Sequence, residues 1–159
     1  MVFPISIVCD NIRTPENIGM IFRLAEAFGA ECIYLCGDAP TLPNKKVARA
    51  ARSTIKPGNH KTVKNTADII SELKNKNYKI IGLEVTNNSK DIRHFDFYKN
   101  NKIALVLGSE RYGISKEVLQ MADHCVHINL FGNNTSINVA NATAIALYEL
   151  AHRMGLHTD

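Results

Sequence analysis

Side chains able to bind and orient a ligand gather in three segments of the chain. The first runs from Asp10 to Arg23 and carries Asn17, Gly19 and Arg23. Asn17 and Arg23 lie nearly two helical turns apart, and Gly19 permits a close approach by another chain or by a ligand. The second runs from Leu107 to Ser115, with Ser109, Glu110 and Arg111 set between Gly108 and Gly113. A polar loop that opens from a buried strand in this way offers free backbone N–H groups to a ligand, or is simply a strand-to-helix turn. The third runs from Ile128 to Ala142, where Asn133, Asn134, Thr135, Ser136, Asn138 and Asn141 crowd against a helix start. Capping explains one or two such residues and leaves the others to be accounted for.

Several familiar chemistries have no counterpart in the sequence. Neither three closely spaced glycines after a strand nor a Gly-Lys-Ser/Thr phosphate loop occurs, which argues against a Rossmann cofactor site and a P-loop. There is no Gly-x-Ser-x-Gly elbow, and the six histidines are scattered without metal-ligand spacing, so no metal is expected. Cys9, Cys32, Cys36 and Cys125 sit in apolar runs without Cys-x-x-Cys spacing and read as buried small hydrophobes rather than disulfide partners or zinc ligands.

The elements that must position the three segments follow from hydrophobic periodicity. Strand-length apolar runs at Pro4–Cys9, Cys32–Cys36, Lys79–Val85, Ile103–Leu107 and Cys125–Leu130 alternate with helical stretches, the pattern of an α/β fold with a mainly parallel sheet flanked by helices. Each polar segment lies at the end of such a strand, where open α/β sheets place their ligands. A helix over Pro15–Phe28 follows from Ile18, Ile21, Phe22, Ala25 and Phe28 at helical spacing, with Thr14 as N-cap, Pro15 at the first position and Gly29 as the stop. Further helices are expected at Lys45–Arg52, at Thr66–Lys76 with Ile69, Ile70 and Leu73 inward, at Ser115–Met121 with Ser115 as N-cap, and at Asn138–His152. Ala140, Ala142, Ala144 and Ala146 make the last helix slim enough to pack closely on its neighbours.

With 159 residues, 45% of them hydrophobic and 21% charged, the composition is that of an ordinary globular domain, and residues 1–159 read as one domain without an appended RNA-binding segment. The first ten residues lack the basic start and long apolar stretch of a signal peptide, and no apolar run approaches a membrane span, so the cytoplasm is the expected address. The net charge is +4, and Lys45, Lys46, Arg49, Arg52, Lys56, His60, Lys61 and Lys64 fall in a stretch that contains no acid. Such a run is either a solvated face or a phosphate footprint.

Taken together, Asn17-x-Gly19 with Arg23, Gly108-x-Glu110-x-x-Gly113 and Ser136-x-Asn138-Val139 closely resemble the three motifs of the SpoU (TrmH-like) ribose 2′-O-methyltransferases, a branch of the SPOUT superfamily, in the family's order and over nearly the whole chain. Two departures stand out. Asn129 occupies the place of the usual proline of the third motif, and the usual Asn-Val-Ser-Val-Ala appears as Asn138-Val-Ala-Asn-Ala142.

The resemblance implies a C-terminal segment tied into a deep trefoil knot, S-adenosylmethionine as cofactor, RNA as substrate, with tRNA the first choice and ribosomal RNA the alternative, and a homodimer. A non-catalytic knotted RNA-binding protein is the remaining reading, and the intact motif residues argue against it. By the same resemblance Leu83, Gly108, Ser109, Glu110, Ile128, Leu130, Ser136, Ile137 and Asn138 surround the cofactor, largely through backbone groups. Arg23 acts on the RNA side, Asn17 orients it, Glu110 fixes its loop or pairs with a cation, and Ser136 and Asn138 hold ribose and cofactor. Lys45, Lys46, Arg49 and Arg52 join Arg23 as the expected RNA contacts. In the dimer the first and last helices pack together, with Ile145, Tyr148 and Leu150 as interface candidates.

Overall fold

Ile5, Ile7 and Cys9 of the first strand point to one side of the sheet and Ser6, Val8 and Asp10 to the other, and all six are buried. A strand covered on both faces is the mark of a parallel sheet with helices on each side. The computed structural model describes residues 3–97 and 101–155. In chain order it comprises β1 (Phe3–Asp10), α1 (Pro15–Ala27), β2 (Ala30–Cys36), α2 (Lys45–Ala51), β3 (His60–Val63), α3 (Thr66–Asn75), β4 (Tyr78–Leu83), β5 (Lys90–Asp91), a single 3-10 turn (Ile92–His94), β6 (Lys102–Leu107), α4 (Lys116–Met121), β7 (His124–His127) and α5 (Val139–Arg153).

The strands form one sheet of order β3-β2-β1-β6-β4-β7-β5, and every pairing is parallel. Ile18, Ile21 and Phe22 of α1, Val47 of α2 and Leu147 and Leu150 of α5 share one core with Ile5, Ile7 and Leu105. Ile69, Ile70 and Leu73 of α3 and Val118 of α4 cover the other face against Val8, Ile80 and Val106. From β1 the chain builds outward through β2 and β3, then crosses to the far side for the remaining strands. The order therefore reverses between β1 and β6, and the carboxyl ends of these strands open the crevice where such sheets bind ligands.

Among the described residues, five of the seven strands and all five helices coincide with the sequence expectations, with differences that have physical causes. β4 stops at Leu83 rather than Val85, and β7 stops at His127 rather than Leu130. In both places the apolar run continues past the last strand partner into a loop. β3 escapes the apolar pattern because it lies at the edge with polar side chains, and β5 is only two residues long. Thr14 and Ser115 stand at N-cap positions but neither side chain makes a capping bond. The nearby N–H groups are met by carboxylates from distant segments instead. No helix among the described residues is long and apolar enough to cross a membrane.

Candidate active site

Gly19 shows how the first segment is set. A Cβ built on it would lie 2.5 Å from Ala50 Cβ, 2.6 Å from the Val47 carbonyl oxygen and 2.8 Å from Ala51 N. The close approach that the glycine permits is therefore made by α2 of the same chain, which fixes the first turn of α1.

That first turn is bound to the second polar segment. Glu110 Oε1 accepts from Asn17 Nδ2 at 3.0 Å and from Thr14 N at 3.3 Å, and Oε2 accepts from Arg13 N at 3.4 Å. Partial burial pushes the Glu110 carboxyl up, but the bonds from Asn17 and Thr14 outweigh it and hold the group below its ordinary value. Asn17 Oδ1 in turn accepts from Asn138 Nδ2 at 2.9 Å, and Asn138 Oδ1 caps α5 by accepting from Ala140 N at 2.8 Å and Asn141 N at 3.3 Å. One chain of hydrogen bonds thus runs Glu110–Asn17–Asn138 through all three segments. Both ends of the Asn17 amide are thus engaged by Glu110 and Asn138, and it makes no direct hydrogen bond to Arg23.

The loop after β6 is closed on itself. Ser109 and Gly113 exchange backbone bonds at 3.0 and 2.9 Å, and Tyr112 N donates to Ser109 Oγ at 3.1 Å. Gly113 sits at φ +68°, and a Cβ on Gly108 would strike Gly113 and Ile114 at 2.2 Å, so the fold-back requires both glycines. Ile114 N donates to Glu84 Oε2 at 3.0 Å, and Ser115 N to Asp10 Oδ2 at 2.7 Å. The N–H groups of Ser109, Tyr112, Gly113 and Ile114 are therefore spent inside the protein rather than offered to a ligand. Asp10, buried at the end of β1, also accepts from Thr66 Oγ1 at 2.6 Å and so ties the crevice to the start of α3. Sequence periodicity did not single out Asp10 or Glu84; a carboxylate at the end of an apolar strand was the available signal.

Between these loops lies a cleft of about 780 Å³, within the range of small-ligand sites. Of the residues that the resemblance assigns to the cofactor, Leu83, Gly108, Ser109, Glu110, Ser136, Ile137 and Asn138 line it, joined by Glu84, Thr86, Tyr112 and Val139. Ile128 and Leu130 are not brought to it. Ile128 packs on the core beside Val126, and Leu130 borders a neighbouring depression with Phe131, Asn134 and Ile137. Asn129, in the place of the usual proline, donates through Nδ2 to Asp91 Oδ2 at 2.6 Å, while its side-chain Oδ1 lies 3.1 Å from His127 Nε2. The bond to Asp91 binds the start of the third segment to β5. Asp91 is held well below the usual carboxylate range, first by the hydrogen bonds of Arg93.

Arg23 is exposed on α1 in a stripe with Glu16 and Met20, and among the described residues it has neither an ion pair with Glu16 or Glu26 nor a hydrogen bond. Lys45, Lys46, Arg49 and Arg52 are likewise exposed, on and just after α2, and none is paired with a carboxylate among the described residues. The wider basic stretch continues through a turn into β3, so it is not one helix face. Cys9 and Cys36 are buried, Cys32 and Cys125 only partly, and all four are free thiols. Burial pushes the Cys36 thiol up to about 12.

The chain resembles known proteins over most of its length. Residues 4–148 match the model of the SpoU rRNA Methylase family. A Staphylococcus saprophyticus protein named for the TrmH family of tRNA/rRNA methyltransferases is 30% identical over 144 residues, which cover 91% of this chain and 57% of that protein. The crystal structure of an AdoMet-bound rRNA methyltransferase from Sinorhizobium meliloti superposes with a TM-score of 0.85 at 28% identity, covering 93% of this chain and 56% of that one. The A. aeolicus TrmH/SpoU tRNA modifying enzyme gives 0.80 at 26% identity, covering 94% and 75%. The chain thus spans under two thirds of the Staphylococcus relative's length. With the family model covering nearly all of it, the chain belongs to the SpoU methylase family.

Proposed function

We propose that this chain transfers a methyl group from S-adenosylmethionine to a ribose 2′-hydroxyl of RNA, with tRNA as the first substrate to test, acting in the cytoplasm as a homodimer whose C-terminal segment is knotted. The observation that carries the reading is the Glu110–Asn17–Asn138 hydrogen-bond chain, which joins three segments at the mouth of one cleft. Apolar side chains such as Leu83, Ile137 and Val139 stand in that cleft beside polar ones such as Glu84, Ser109 and Ser136, a mixed lining suited to a ligand with both an aromatic and a polar part. Its residues fit the cofactor of the Sinorhizobium relative. When bound, the cofactor supplies an electrophilic methyl carbon on a sulfonium.

The protein's part is to hold a ribose oxygen in line with that carbon and to manage one proton. Arg23 carries a guanidinium, too weak an acid to give up its proton readily, and so is a poor general base. Exposed and unpaired, it is suited to bind an RNA phosphate and to stabilise developing negative charge on the 2′-oxygen. Glu110 holds the first turn of α1, and through it the position of Arg23's helix, rather than pairing with a cation. The basic residues of α2 extend the positive surface on the side where Gly19 brings that helix against α1.

Ribosomal RNA is the second reading, favoured by the Sinorhizobium relative. Transfer of labelled methyl into purified tRNA and rRNA, followed by digestion to nucleosides, tests both. The expected product is a 2′-O-methylated nucleoside from one pool. Label on a base, or in neither RNA, would defeat the proposal.

A further inference from the structure

Glu84 is the one carboxylate of the cleft whose fixed position is not explained by the three motifs. It follows β4 directly, and its own N–H donates to the Val126 carbonyl at 2.9 Å, so the backbone there is fastened to β7. Its Oε2 accepts from Ile114 N at 3.0 Å, and Oε1 from Val85 N at 3.1 Å. Gly113 is shaped around it: a Cβ on that residue would lie 2.3 Å from Oε2. The group is half-buried, lines the cleft and is paired with no lysine, arginine or histidine among the described residues. Glu110 differs, since its oxygens face Arg13, Thr14 and Asn17. A carboxylate partly removed from water, held rigidly and left without a counter-charge is poised for a cationic ligand.

Resting on the cofactor reading above, we infer that Glu84 recognises the positive charge of the sulfonium and so makes the cleft prefer the methyl donor to its demethylated product. The two molecules share adenine, ribose and the amino-acid tail, and differ in one methyl group and one positive charge. Hydrogen bonding to the shared parts cannot separate them, whereas a fixed negative charge can. The consequence for turnover is direct: once the methyl group has left, the attraction to Glu84 is gone and the product is released more readily.

Calorimetric titration of the purified chain with S-adenosylmethionine and with S-adenosylhomocysteine tests this, using Glu84→Gln as the variant. Glutamine keeps an acceptor for Ile114 N but carries no charge, and a thermal melt near the wild-type value shows that the loop is kept. The expected result is about a five- to tenfold loss of affinity for the methyl donor with the product's affinity within about twofold of wild type, as for the loss of one partly buried charge contact. Equal losses for both ligands would make Glu84 a clamp for the loop alone and overturn the inference, as would no loss for either. Wild-type protein that binds neither ligand would overturn the cofactor reading itself, a different failure from either of these.

Discussion

Asn138 donates through Nδ2 to Asn17 Oδ1 at 2.9 Å, joining the N-cap of α5 to the first turn of α1 across 121 residues of chain. The same Asn138 side chain caps α5 through Oδ1, so a single amide fixes both the helix start and the geometry of the cleft. Asn138→Ala removes the cap and leaves Asn17 Oδ1 without its donor, and should lower stability by about 1–2 kcal/mol. Asn138→Asp keeps the capping acceptor but cannot donate to Asn17. Chemical denaturation should therefore find the Asp variant closer to wild type than the Ala variant, while calorimetry finds cofactor binding weakened in both. An Ala variant with wild-type stability and binding would remove the asparagine from its assigned place.

Glu110 makes stability depend on acid in a predictable direction. Its folded-state pKa lies below the ordinary value, so its contribution is fully present above the unfolded pKa of about 4.3 and is lost as pH falls through the depressed folded value. Glu110→Gln retains an acceptor for Asn17 and Thr14 but no longer titrates. Urea midpoints at neutral pH and near pH 3 should fall further for wild type than for this variant. Equal falls would show that the hydrogen bonds to Glu110 do not favour its charged form.

Gly19→Ala tests whether α2 really determines where α1 sits. The new Cβ meets backbone atoms of Val47 and Ala51 as well as Ala50 Cβ, and backbone cannot step aside as a flexible side chain would. A cost of about 1–3 kcal/mol is expected, as for other overpacked contacts, and a thermal melt would register it as a lower midpoint. RNA binding should weaken with it, because Arg49 and its neighbours ride on the displaced helix. An unchanged melting temperature would mean that the two helices separate at no cost.

How far these relationships could be read in advance depends on how local they are. The helix over Pro15–Ala27 is written into nearby residues, since its apolar stripe, proline and terminal glycine all act within the helix itself. Strand ends were less legible. Val85 and Leu130 continue apolar runs, but no strand partner lies beside them, and an apolar residue beyond the last ladder bond looks the same in sequence as one within it. The motif residues themselves were visible as polar clusters, whereas their connections were not. Glu110 and Asn17 are 93 residues apart, Asp10 and Ser115 are 105 apart, and only the topology of the sheet brings each pair together. Thr14 and Ser115 illustrate the same limit. Their types suggest side-chain caps, yet neither makes one, and the backbone N–H of each cap residue bonds instead to a carboxylate from a distant segment.

The basic residues around α2 can be tested as a group. Replacing Lys45, Lys46, Arg49 and Arg52 with Ala removes four exposed cations that have no carboxylate partner among the described residues. Each one that contacts an RNA phosphate contributes about 0.7–0.9 to the slope of log K against log salt, so the slope should flatten by up to about three units. An unchanged slope with unchanged affinity would identify this surface as ordinary solvated charge.

The proposed homodimer can be tested at the apolar surface that the monomer leaves uncovered. On α5, Ile145 is 43% exposed and Tyr148 68% exposed, one turn apart on the same face, while Leu150 is fully buried in the monomer's own core. Of the three interface candidates, only the first two are therefore available to a partner. Met20 on the neighbouring α1 is 38% exposed and belongs to the stripe that carries Arg23. These three exposed apolar residues lie on α1 and α5, two helices that contact each other, and we propose that they belong to one self-complementary contact. A two-fold dimer through this face would cover the patch and set one subunit's Arg23 near the partner's cleft. A stable interface requires about 800 Å² from each subunit, so the proposed contact would extend over both α1 and α5. Light scattering at micromolar concentration should give about twice the chain mass of 17.7 kDa, and the double variant Ile145→Asp, Tyr148→Asp should return it to the monomer value. Because both positions are exposed, that variant should keep its fold, and circular dichroism checks this independently. A wild-type mass near 17.7 kDa, or a double variant that stays dimeric, would rule this surface out as the interface.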